Sequence, residues 1–249
     1  VLNQLWLNFF FQAEDGIRVG ERSRGLGDVY KRQIFLRGGR TEEGLRAAVS
    51  HTGRLVRDVG AHALIKSLFR YCGAYVAEGY EEALDAVKAL STLPRRKMKR
   101  VGIITNTGGL GVMAVDCITE GSGLVLQPLP PQAQEALSAL PPYVPRTNPL
   151  DLTGSATEEQ YALAIHAMAE SGAYDIIVVF VNFQLPAMGT QLIKTLAAVS
   201  HDFPLICVNT GGQIADRYMP ALRRRGVLTY RTVQGIAHAL QALDHFNPY

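Results

Sequence analysis

Over residues 101–249, strand-length apolar runs alternate with helical stretches. This predicts an α/β fold, a doubly wound parallel sheet with helices on both faces. Two further observations support it. The run within Asp175–Val181 is apolar and rich in β-branched residues, as in parallel strands buried on both sides. Two of the runs also end in glycine pairs just before a helix, the small-residue junction that strand-to-helix turns favour.

The elements follow in order. Ile34–Leu36 is a short strand running into the loop Arg37-Gly38-Gly39-Arg40. Thr41–Ser50 has helical composition weakened by Gly44, and its state stays open. Leu55, Val59, Ala63, Leu64 and Leu68 recur at helical spacing, which predicts an amphipathic helix over Arg54–Tyr71, ended by Gly73. Tyr80–Leu90 repeats the pattern with Leu84, Val87 and Leu90 on one face. Pro94–Arg100, PRRKMKR, is a basic linker. Beyond it come strand Val101–Thr105, helix Leu110–Thr119, strand Leu124–Leu126 and helix Pro131–Leu140. Pro141–Gly154 is a long loop. Helix Thr157–Ser171 opens on a capping box of Thr157 with Gln160. Strand Asp175–Val181, helix Thr190–Ser200, strand Pro204–Asn209, helix Ile214–Arg225, strand Val227–Tyr230 and helix Val233–His245 complete the chain. Residues 101–249 thus read as a flavodoxin-like domain. Residues 34–93 read as the tail of a similar α/β domain, with 94–100 as the linker.

Composition narrows the function. The 249 residues are 47% hydrophobic and 19% charged, which excludes disordered, fibrous and coiled-coil classes. A net charge of +3 is too even to indicate nucleic acid. The apolar runs are too short to span a bilayer. Cys72, Cys117 and Cys207 lie far apart with no CxxC pair, which argues against a disulfide framework or a zinc site and favours a reducing, cytoplasmic compartment. No metal site is expected.

Residues 1–33 differ from the rest. They hold the one Trp, Trp6, and the run Phe9-Phe10-Phe11, with no apolar period of either kind. FQAEDGIR resembles one reading frame of a sequencing-library primer, and SRGLGDVYKRQ the same frame of a transposase adaptor. Val19 is the one departure within Phe11–Gln33, where that frame has Asp. Residues 1–33 are therefore expected to be an adaptor-derived, non-native segment, with the natural protein starting upstream. The other reading is a genuine amphipathic N-terminal segment.

Several residues are candidates for chemistry. Asn106-Thr107-Gly108-Gly109-Leu110-Gly111 joins a strand's carboxyl end to a helix. Backbone N–H groups there can approach an anion, aided by the helix dipole. A phosphate site at Gly108, Gly109, Leu110 and Gly111 and a tight turn with close helix packing both fit this spacing. For Asn209-Thr210-Gly211-Gly212 the turn reading is favoured. His51, in Ser50-His51-Thr52-Gly53, is surrounded in sequence by Arg37, Arg40, Arg46, Arg54 and Arg57. A histidine can attack phosphorus and cations suit the product, although a lone His is more often a surface or capping residue. Asn148-Pro149-Leu150-Asp151-Leu152-Thr153-Gly154 is a rigid loop in which Asp151 either bonds backbone or holds the loop near a ligand.

Taken together, GGRTEEGLRAAVSHTG, KRVGIITNTGGLGVMAVD and RTNPLDLTG resemble the ADP-forming acyl-CoA synthetases related to succinyl-CoA synthetase. The resemblance runs from Ile34 to the C-terminus. It implies a CoA-binding Rossmann domain upstream, two flavodoxin-like domains, and a nucleotide-grasp domain fused or supplied as a subunit. It also implies that His51 is the phosphorylated histidine, that Gly108–Gly111 opens one of two phosphate-holding helices, and that Ser50, Thr52, Gly53, Asn106, Asn148 and Asp151 support the site. The implied reaction interconverts acyl-CoA, phosphate and ADP with carboxylic acid, CoA and ATP. CoA, ATP or ADP and Mg are expected in the full enzyme, with none assigned to this chain. The partners implied are those domains and a small acyl substrate, acetate at the family level, with no nucleic acid and no membrane. Arg54 and Arg57 depart from the small residues that relatives carry after SHTG. Gly38, Gly39, Gly44 and Gly53 would let the histidine loop travel. By itself the chain is expected not to complete the reaction. Two other readings stay open: the acetyl-CoA-sensing, synthetase-like part of a protein lysine acetyltransferase, and a non-catalytic flavodoxin-like module.

Overall fold

The computed structural model of the chain describes residues 6–9, 32–44, 46–47, 60–120 and 123–246. Two compact units divide between Val87 and Lys88.

The first unit holds a three-stranded parallel sheet of β1 (Trp6–Phe9), β2 (Gln33–Leu36) and β3 (Tyr75–Ala77), in that order. β1 falls within residues 1–33, pairing Trp6 with Gln33, and is an element the sequence did not suggest. Helical residues at 42–44 and 46–47 show that part of the ambiguous stretch is helix. α1 (Gly60–Tyr71) covers the described part of the helix predicted from Arg54; residues 54–59 lie outside the described residues. It ends as anticipated. Gly73 takes φ +79°, its N–H bonds Arg70 O at 2.9 Å, and Ala74 N bonds Phe69 O at 2.9 Å. The Phe35 and Phe69 rings stack, with centroids 3.7 Å apart. β3 was not predicted from the sequence.

α2 (Tyr80–Thr92) contains the division between the units. The second unit then builds its sheet from β4 (Arg100–Thr105), β5 (Val125–Leu126), β6 (Leu150–Asp151), β7 (Ile176–Phe180), β8 (Leu205–Val208) and β9 (Leu228–Tyr230). All pairings are parallel, in the order β5-β4-β7-β8-β9, which is the doubly wound, flavodoxin-like arrangement. β6 also pairs with β4, through Ile104↔Leu150 and Thr105↔Asp151, inside what the sequence presented as loop. β7 and β8 are buried along their whole length, as their β-branched, apolar composition requires.

Helices α3 (Gly108–Thr119) and α8 (Val233–Phe246) pack together, while α5 (Glu158–Glu170), α6 (Thr190–Asp202) and α7 (Gly212–Arg223) pack in succession. α4 (Pro131–Ala136) passes into a 3-10 turn at Leu137–Ala139 and ends short of the predicted Leu140. The capping box is present: Thr157 Oγ1 accepts from Gln160 N at 3.4 Å, and Gln160 Oε1 accepts from Thr157 N at 3.1 Å. α5 sits close to β4 because Gly102 has no side chain. A Cβ there would stand 2.6 Å from Met168 Cε. At the amino edge of the sheet, Asp175 accepts from Lys99 N (3.0 Å), Arg100 N (2.8 Å) and the Arg100 guanidinium (2.7 Å). Arg100 therefore belongs to β4 rather than to the linker. Among the described residues no helix is long and apolar enough to cross a membrane.

Candidate functional site

In the second unit, β4 is the strand where the winding reverses, with β5 on one side and β7 on the other. Ligands of such sheets bind beyond the carboxyl ends of the strands at that point. A crevice of about 90 Å³ lies there. Thr107 and Leu110 line it from the start of α3, Phe180–Asn182 and Gln184 from the end of β7, and Val208, Thr210 and Gly211 from the end of β8.

The loop after β4 is shaped by Thr105, whose hydroxyl accepts from Thr107 N at 2.9 Å and donates to Thr107 O at 3.0 Å. α3 begins at Gly108, two residues earlier than the sequence suggested, and no side chain caps it. The predicted phosphate residues therefore separate into distinct roles. The amides of Leu110 and Gly111 bond Thr107 O, at 3.0 and 3.2 Å. Gly111 is buried, and a Cβ on it would lie 3.1 Å from Thr105 Cγ2, so this glycine serves close packing. Gly108 and Gly109 are the first two residues of the helix, where amides have no intrahelical acceptor. Gly109 has open space around its Cα, and Gly108 faces Asp151, whose Oδ2 would be 2.5 Å from a Cβ. The amides of the motif without an intrahelical acceptor are thus those of Gly108 and Gly109.

Asp151 bonds backbone, one of the two uses weighed for it. Its Oδ1 accepts from Thr153 N at 2.9 Å, an Asx turn that holds Thr153 at φ +68°, and its other oxygen flanks the first residue of α3. The side chain of Asn148 is used up inside the sheet: Oδ1 accepts from Ile103 N (2.9 Å), and Nδ2 donates to Val101 O (2.8 Å) and Gln127 O (2.8 Å). It fills the gap along β4 between β5 and β6 and so secures the loop that carries Asp151.

Asn106 is 4% exposed. Its Oδ1 accepts from Asn182 N (3.0 Å) and Thr107 Oγ1 (3.3 Å), while its Nδ2 has no hydrogen-bond partner. Tyr161, fully buried, donates to Phe180 O at 2.6 Å and ties α5 to the end of β7. Burial, with Cys207 and Asp151 nearby, pushes its phenol well above the usual range. Burial likewise pushes the Cys207 thiol up to about 12. The sequence reading missed Tyr161, Asn182 and Gln184, none of which sits in a recognisable motif. His51, Ser50, Thr52 and Gly53 lie outside the described residues. Among the described residues no three His, Cys, Asp or Glu side chains gather as metal ligands.

The comparisons with known proteins agree with this architecture. Residues 13–90 match the succinyl-CoA ligase-like flavodoxin domain and residues 101–199 the ligase-CoA domain. The first match takes in residues 13–33. The class defined by fold and site is therefore a pair of CoA-ligase domains of the succinyl-CoA ligase type.

The chain belongs to the ADP-forming acyl-CoA synthetases related to succinyl-CoA ligase. It is 31% identical to the alpha subunit of acetate–CoA ligase [ADP-forming] II of Pyrococcus furiosus, over 92% of this chain and 51% of that protein. It is also 31% identical to acetate–CoA ligase [ADP-forming] of Methanocaldococcus jannaschii, over 87% of this chain and 31% of that protein. Among solved structures it is similar to dinucleotide forming acetyl-coenzyme A synthetase 1 of Ca. Korarchaeum cryptofilum in complex with phosphate and ADP. The TM-score is 0.75 at 27% identity, covering 87% of this chain and 47% of that one. The chain spans about half the length of the alpha subunits it matches.

Proposed function

We propose that the chain is part of an ADP-forming acyl-CoA synthetase that works through a phosphohistidine. The observation that carries this is α3, whose uncapped first turn at Gly108-Gly109 opens beside the switch-point crevice. In this reading a phosphate oxygen attacks the acyl-CoA thioester carbon and the C–S bond breaks, releasing CoA and leaving an acyl phosphate. The His51 ring nitrogen takes the phosphoryl group as the P–O bond to the acyl oxygen breaks, releasing the carboxylate. ADP then takes the phosphoryl group from His51, giving ATP. The first amides of α3, in a site fixed before reaction, stabilise charge on the phosphoryl oxygens.

The same reading assigns residues 1–33 to adaptor sequence, on the two reading frames they resemble. It assigns 34–93 to the domain carrying the histidine loop, 94–99 to a linker, now that Arg100 belongs to β4, and 100–249 to the second ligase domain. CoA and the nucleotide with Mg are held by a CoA-binding domain and a nucleotide-grasp domain or subunit, so this chain alone does not complete the cycle. The substrate is a small carboxylic acid. A cytoplasmic setting suits the three unpaired cysteines.

The test mixes the chain with a nucleotide-grasp partner and ATP labelled in its γ-phosphate. Label should appear on the wild type and vanish in His51→Ala. Equal labelling of both would refute the histidine's role.

A further inference from the structure

We draw no further inference here: the strongest candidate, the exposed apolar stripe of Leu64, Leu68 and Tyr71 along α1 of the first unit, carries none because nothing in the structure shows what covers it.

Discussion

Asn148 and Asn106 show how differently one residue type is used a few ångströms apart. The Asn148 amide spends every donor and acceptor within reach on the backbone of β4 and of Gln127. Asn106 keeps its oxygen on the loop and leaves its nitrogen unpaired. Asn148→Ala strips partners from three backbone groups, two of them on the fully buried Val101 and Ile103. The loss should be about 2–3 kcal/mol, lowering Tm by roughly 5–10 °C in a thermal melt. A melt within a degree of wild type would show that water replaces the amide and that the splint is dispensable. The sequence marked both asparagines alike, as loop residues supporting the site. Which bonds each makes depends on partners tens of residues away, such as Ile103 and Asn182, and no local pattern carries that.

The helices and the longer strands were legible because burial on both sides of a sheet demands apolar, β-branched runs such as IIVVF at Ile176–Phe180. β1, β3 and β6 were not, although β2, β5 and β9 are as short: a strand of two to four residues has no period of its own and shows only where an apolar run falls in the strand–helix alternation. The starts of α3 and α7 were set two residues late, because glycine is a poor helix former yet is accepted in a first turn. The linker concealed the other end of the sheet. Arg100 and Asp175 are the clamp on the amino ends of β4 and β7, and PRRKMKR gave no sign that its last residue was a partner. Burial alone would raise the Asp175 carboxyl, but the Arg100 guanidinium and the Lys99 and Arg100 amides outweigh it and hold it below the ordinary range. A carboxyl that titrates lower in the folded chain adds stability above the unfolded value, near pH 4, and loses it as pH falls through the folded value. Asp175→Asn should cost about 2 kcal/mol in urea unfolding at pH 7, and its gap from wild type should narrow below about pH 4. A gap that is the same at pH 3 and pH 7 would show that the charge contributes nothing.

At the scale of the whole molecule, alternation of strand and helix made the doubly wound second unit readable in the sequence. The crevice was not readable. It exists because β4, β7 and β8 are neighbours in the sheet, which brings loops starting at Asn106, Val181 and Asn209 to one edge. The repeated Asn-Thr-Gly-Gly was visible in the sequence, but as two separate turns. The glycine motif held the phosphate and packing readings in balance, and the structure divides them: Gly111 packs, Gly109 is open, and Gly108 meets Asp151. The central claim is that the start of α3 takes a phosphate despite that neighbouring carboxylate. The most direct measurement is a ¹H–¹⁵N NMR titration of the labelled chain with inorganic phosphate. The Gly108 and Gly109 amides should shift saturably, while those of Leu110 and Gly111, already bonded to Thr107 O, should move little. Saturation at other amides, or no saturable shift at Gly108 and Gly109, would contradict the account.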